Sequence, residues 1–157
     1  MRKTVHFADW RGEGWPSVDD LEPYFLAPPR QRWFFETGND AAILQVMGVD
    51  GTEHLEQGKG RIDVDLEMWG HRDLGVLLIY SKWGGGHQEN YSSKGDLSRL
   101  REWVRAKHKT PLPVGLFIPY EEAWKAVKDF IETGGKLPKS IAWIANDDLP
   151  LDTFPDP

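Results

Sequence analysis

Polar and apolar residues alternate most cleanly between Arg61 and Trp69. Ile62, Val64, Leu66 and Met68 fall on one side, and Asp63, Asp65 and Glu67 on the other. A period of two is that of a half-buried strand. Val5 and Phe7 alternate in the same way within Thr4 to Trp10, which reads as a first strand broken by Gly12, Gly14 and Pro16. Arg32 to Glu36 and Ala41 to Met47 read as further strands, the second entered through the turn Gly38-Asn39-Asp40. Gly75 to Trp83 is mostly apolar and reads as a central strand. Turns at His71 to Leu74 and Gly84 to Gly86 would join these strands antiparallel.

Two segments carry helical signals. Ser17 stands as an N-cap before Asp19 and Asp20, and predicts a short helix from Val18 to about Leu26, ended by Pro28-Pro29. After Pro119, the residues Trp124, Val127, Phe130 and Ile131 recur at helical spacing, with Glu121 and Glu122 in the first turn and Gly134-Gly135 as the stop. Between them, Gly95 to Lys109 fits a helix or a strand equally. Val114 to Ile118 is short and extended, and Ser140 to Ala145 is a last strand. This order predicts an α+β fold: an antiparallel or mixed sheet with two or three helices on one face. Residues 1–145 form one domain in this reading. Residues 146–157, with four aspartates and three prolines, form an acidic tail expected to be loose.

Length and charge narrow the function. A chain of 157 residues is enough for one core. Its longest apolar candidate, Val76 to Tyr80, is far short of the roughly 20 residues that a spanning helix needs, and no signal-peptide stretch follows the basic start. The expectation is a cytoplasmic protein. The net charge of −6 opposes direct nucleic-acid binding. The absence of cysteine removes disulfides and thiolate chemistry. Eight tryptophans are more than one core needs, so some should reach a surface. Trp10, Trp15 and Trp33 are read as core.

Catalytic motifs are weak. The histidines at 6, 54, 71, 87 and 108 are too far apart in sequence for a local metal pair. His54-Leu55-Glu56 resembles half of a zinc-deaminase site, but the cysteines of the other half do not exist here. Gly84-Gly85-Gly86-His87 lacks the lysine and the following helix of a phosphate loop, and reads as a hairpin tip. Lys94 to Lys109 is locally basic, and reads as a solvated face. Asp63 and Asp65, roughly 7 Å apart on one strand face, span a distance suited to acid–base hydrolysis. Any two alternating acids in a strand do the same. No catalytic residue, metal or cofactor is assigned. The stronger reading of this strand is an acidic strip, Asp63, Asp65 and Glu67, ending in the aromatic anchor Trp69, shaped for a basic groove on another protein. A loop carrying His87, Glu89 and Tyr91 is the second contact candidate.

Two segments carry a family resemblance. One runs Phe117-Ile118-Pro119-Tyr120-Glu121-Glu122-Ala123, then Ala126 to Gly134 with Phe130, Thr133 and Gly134, then Leu137-Pro138 and Ser140 to Trp143. The other is Gly75 to Gly95, with Tyr80, Tyr91 and Ser92-Ser93-Lys94-Gly95. The pattern resembles the first-numbered immunity-protein family of bacterial polymorphic toxin systems. The resemblance implies a non-catalytic cytoplasmic antidote that binds a cognate toxin, often a nucleic-acid deaminase. Its motifs look structural and name no contact residue. Two other readings stay open: a small hydrolase using paired carboxylates in a deep pocket, and an adaptor that binds a peptide or subunit through exposed aromatics.

Overall fold

In the computed structural model, which describes residues 1–7, 10–27, 41–106 and 109–156, the alternating strand is the middle of a large sheet. Its strands are β1 (Arg2–Phe7), β2 (Trp10–Glu13), β3 (Ala42–Met47), β4 (Asp63–His71), β5 (Gly75–Gly84), β6 (His87–Ser93), β9 (Phe117–Ile118) and β10 (Trp143–Ala145). They lie in the order β2-β1-β3-β4-β5-β6-β10, with β9 also against β5. Every described pairing is antiparallel. A separate two-stranded piece pairs β7 (Trp103–Arg105) with β8 (Pro111–Pro113).

Alternation decides which side chains meet. On one face, Val64, Leu66, Met68, Leu78 and Tyr80 are buried with Phe7, Leu44 and Val46. Two helices close this face, α1 (Val18–Leu26) and α2 (Tyr120–Thr133). α1 begins with the predicted Ser17 cap: Ser17 Oγ accepts the Asp20 N–H at 3.1 Å, and Asp20 returns the bond to the Ser17 N–H at 3.2 Å. Pro23 is accommodated within the helix, one turn before the Ala27 N–H bonds to its carbonyl. α2 buries Ala123, Trp124, Val127 and Phe130, then stops at Gly134 in the left-handed conformation, φ 71°. The Tyr80 hydroxyl donates to the Gly135 carbonyl at 2.9 Å and ties this helix end to β5.

The opposite face is the part that periodicity did not foresee. One end of it is covered by a second apolar cluster, in which Leu77, Leu112, Leu116, Phe117 and Leu149 are buried and Trp69, Ile79 and Val104 are half-buried. The covering pieces are β7, β8 and short 3-10 turns at Leu97–Arg99 and Val114–Leu116. In the stretch from Gly95 to Lys109, ambiguous by pattern, the described residues thus form a turn at Leu97–Arg99 followed by a strand at Trp103–Arg105. Residues 146–156 do not trail away: Leu149 and Thr153 are buried, and the Trp103 indole donates to the Thr153 carbonyl at 3.0 Å.

Other details depart from the one-dimensional pattern. The glycine-broken segment after Phe7 is the edge strand β2, where Gly12 takes φ 111° without obstruction because nothing crowds the edge. His87 to Tyr91 belongs to β6 rather than to a loop, because the Gly84–Gly86 turn returns the chain along β5. Trp10 and Trp15 pack against the main core. The expected strand Arg32 to Glu36 and the expected core Trp33 lie outside the described residues.

Candidate partner-binding surface

The other half of the second face is polar among the described residues, and strand register assembles it. Thr4, Gln45, Asp65, Ser81 and Asn90 stand opposite one another in turn across β1, β3, β4, β5 and β6. Directly opposed residues of antiparallel strands point to one face. The line is partly self-bonded: Thr4 Oγ1 donates to Gln45 Oε1 at 3.3 Å, and Ser81 Oγ to Asn90 Oδ1 at 2.8 Å. His6, Ile43, Glu67 and Ile79 form the neighbouring line.

The acidic strip does lie on this face, but its members differ. Asp63 is 1% exposed. Its carboxylate takes two bonds of 2.9 Å from Arg61, and a third of 3.1 Å from the Gly48 N–H. It is a neutralised structural acid that fastens the 48–62 loop. Glu67 accepts the Trp69 indole N–H at 2.8 Å, and burial raises its carboxyl pKa against the opposing effect of that bond. Trp69 itself packs against the second cluster. Asp65 is the charge left over. Its Oδ1 atom is buried and has no hydrogen-bond partner. Burial first, then the negative charges of Glu67 and Asp63, push its pKa up to about 6, against the lowering effect of a Gln45 hydrogen bond.

The second predicted group is not brought to this site. Register puts Tyr91 opposite Tyr80, and Glu89 opposite Lys82, on the helical side of the sheet. There His87 Nδ1 and Glu89 Oε2 lie 2.9 Å apart, and the Tyr91 hydroxyl donates to Glu89 Oε1 at 3.3 Å. Tyr91 lies beside Tyr80, with ring centroids 6.4 Å apart and the rings tilted by 47°. The two groups therefore occupy opposite faces, with β5 between their strands. Gln45, Ser81 and Asn90 were missed by sequence reasoning. Each is an ordinary polar residue until strand pairing sets it beside Asp65.

Two clefts, of about 170 and 420 Å³, lie elsewhere, and neither is lined by Asp63, Asp65 or Glu67. The larger forms where the two motif-bearing segments meet, between Lys94-Gly95 and Phe117-Ile118-Pro119. Among the described residues, no group of three or more His, Cys, Asp or Glu is placed to hold a metal ion. No described helix is long and apolar enough to cross a membrane.

The described residues thus form an α+β sheet closed by helices on one side, with a line of acidic and polar residues on the other. The sequence model of the family described as Immunity protein Imm1 matches residues 31–145. That is well over half of the chain, and the chain belongs to this immunity-protein family. No curated protein and no solved structure matches it significantly. Membership makes it an immunity protein that binds a cognate toxin.

Proposed function

We propose that this immunity protein neutralises a nucleic-acid-targeting toxin of the deaminase type, by covering its active site with the polar face of the sheet. The observation that carries the reading is Asp65. It is a half-buried carboxylate at the centre of a polar face, with one oxygen unsatisfied and no basic partner among the described residues. An enzyme that handles nucleic acid needs a basic cleft. A cation from that cleft, brought against the accessible part of the Asp65 carboxyl, would offset the repulsion between Asp65 and Glu67. Thr4, Gln45, Ser81 and Asn90 supply a hydrogen-bonding rim around that pair.

The action is steric and electrostatic, takes place in the cytoplasm of the producing cell, and needs neither cofactor nor catalytic residue. Asp63 supports the face from below, and Trp69 holds Glu67 in place. The His87, Glu89 and Tyr91 group, on the helical side, is a separate secondary contact.

The test is co-purification with the toxin domain encoded beside this chain, together with a nucleic-acid binding assay on that toxin. A stable 1:1 complex that displaces nucleic acid, and that Asp65→Lys abolishes, is the expected result. A complex that inhibits the toxin but leaves its nucleic acid bound would overturn occlusion. Unchanged affinity in Asp65→Lys, Glu67→Lys and their combination would overturn the assigned face.

A further inference from the structure

The segment after Leu149 is built with more care than a tail needs. Leu149 is anchored in the second apolar cluster. The chain then turns between Pro150 and Thr153, closed by the Thr153 N–H to the Pro150 carbonyl at 3.0 Å and by the Thr153 hydroxyl to the same carbonyl at 2.6 Å. Thr153 is only 2% exposed. Its carbonyl receives the Trp103 indole, and Asp152 is paired with Arg101. These bonds fix a turn whose crest is Leu151, a fully exposed leucine. Trp103 of β7, bonded to this turn through its indole, and Phe154, next after Thr153, are also exposed, 37% and 38% accessible.

Single apolar residues on a surface are ordinary, but grouped ones mark a contact. Here the ordering cost of the turn is already met within the fold, which is what a pre-organised contact requires. The surroundings indicate the kind of partner. Residues 146–157 contain Asp147, Asp148, Asp152 and Asp156 and no lysine or arginine; Arg101 reaches the segment from outside it but is already engaged by Asp152. A second copy would bring the same aspartates against these, so self-association is opposed by like charge. An apolar pocket with a basic rim fits. The crest also rides on the layer that covers the same sheet face as Asp65, since Leu149 and Val104 pack there with Ile79 and Trp69. One partner approaching from that side reaches both. Finally, the family match ends at residue 145, so this crest is not among the residues matched to the family. A contact that tells one toxin from another has to lie in what differs between family members.

We propose that the Pro150–Thr153 turn, with Leu151 at its crest beside Trp103 and Phe154, is a specificity contact that inserts into an apolar, basic-rimmed pocket of the cognate toxin. This rests on the immunity reading above but not on the role of Asp65.

The test measures affinity of Leu151→Asp and Leu151→Ala for the toxin domain encoded beside this chain, with thermal melting of each variant alone. Melting should be unchanged, because the Leu151 side chain packs on nothing. The expected result is at least a tenfold loss of affinity for Leu151→Asp and a smaller loss for Leu151→Ala. Wild-type binding that Leu151→Asp leaves within twofold would overturn the inference while leaving the immunity reading intact. No binding or protection by the wild type would instead remove the immunity reading, and this inference with it. Sedimentation equilibrium closes the remaining route. A wild-type dimer that Leu151→Asp dissociates, with toxin affinity unchanged, would make the crest a self-contact and overturn the proposal.

Discussion

The Arg61 guanidinium holds the Asp63 carboxylate through two parallel hydrogen bonds of 2.9 Å, at the start of the strand whose acids were expected to meet a partner. The pair neutralises Asp63 and fixes the 48–62 loop through the Gly48 N–H. Asp63→Ala would leave Arg61 and that N–H without their acceptor. Removing one partner of a buried pair is costly. Because Arg61 keeps some contact with water, the expected loss of stability is roughly 2–3 kcal/mol, read by urea unfolding. Toxin affinity of the folded fraction should change little, whereas a true contact residue would show the reverse.

Asp65 and Glu67 predict a pH signature. The folded carboxyl of Asp65 titrates at about 6 against its ordinary 3.8, and Glu67 is shifted in the same direction. Between those two values the folded chain binds more protons than the unfolded one. The contribution of Asp65 to stability therefore grows as pH falls from about 6 towards 4, and is lost as pH rises through 6. After discounting for its partial exposure, the effect is on the order of 1–2 kcal/mol. Asp65→Asn should flatten this part of the stability–pH curve. An unchanged slope would show that Asp65 is not the group responsible.

The same titration should govern binding. A toxin cation that meets Asp65 favours the ionised carboxylate, so complex formation releases a proton below about pH 6. Affinity of the wild type should rise between pH 5 and 7.5, and Asp65→Asn should lose that rise. At neutral pH the substitution should weaken binding by about tenfold or more, the scale of a hot-spot charge. Calorimetry in buffers of different ionisation enthalpy counts the protons directly.

Gly75 tests the join between the two layers. Its φ is +99°, and a Cβ placed there would lie 2.0 Å from the Ile118 carbonyl oxygen. Gly75→Ala has to displace β9 from β5, where Val76 and Leu77 pair with Ile118 and Phe117. The expected cost is at least roughly 2–3 kcal/mol, seen as a lower thermal midpoint. Gly14→Ala, at a glycine of similar φ with nothing within 4 Å, should cost less.

Tyr80 offers a smaller and cleaner test. Its buried hydroxyl has one acceptor, the Gly135 carbonyl. Tyr80→Phe keeps the ring contacts with Phe130 and Trp143 and removes only that bond. A loss of about 1 kcal/mol is expected.

Local chemistry settled much of this protein. The Ser17 cap, the Gly134 stop and the period of two in β4 depend on neighbours within a few residues, so they were readable from order alone. So was the acidic character of one strand face. What order could not supply was the identity of the strands on either side. Register alone places Gln45 and Ser81 beside Asp65, and His87, Glu89 and Tyr91 on the other side of the sheet. The docking of residues 146–156 escaped for the same reason. Four aspartates read as a solvated tail; in the fold Leu149 joins the second apolar cluster, and the distant Trp103 donates its indole N–H to the Thr153 carbonyl. Periodicity reports which side of an element is apolar; what covers that side, and which polar groups are left unsatisfied beneath it, is decided by contacts between distant segments.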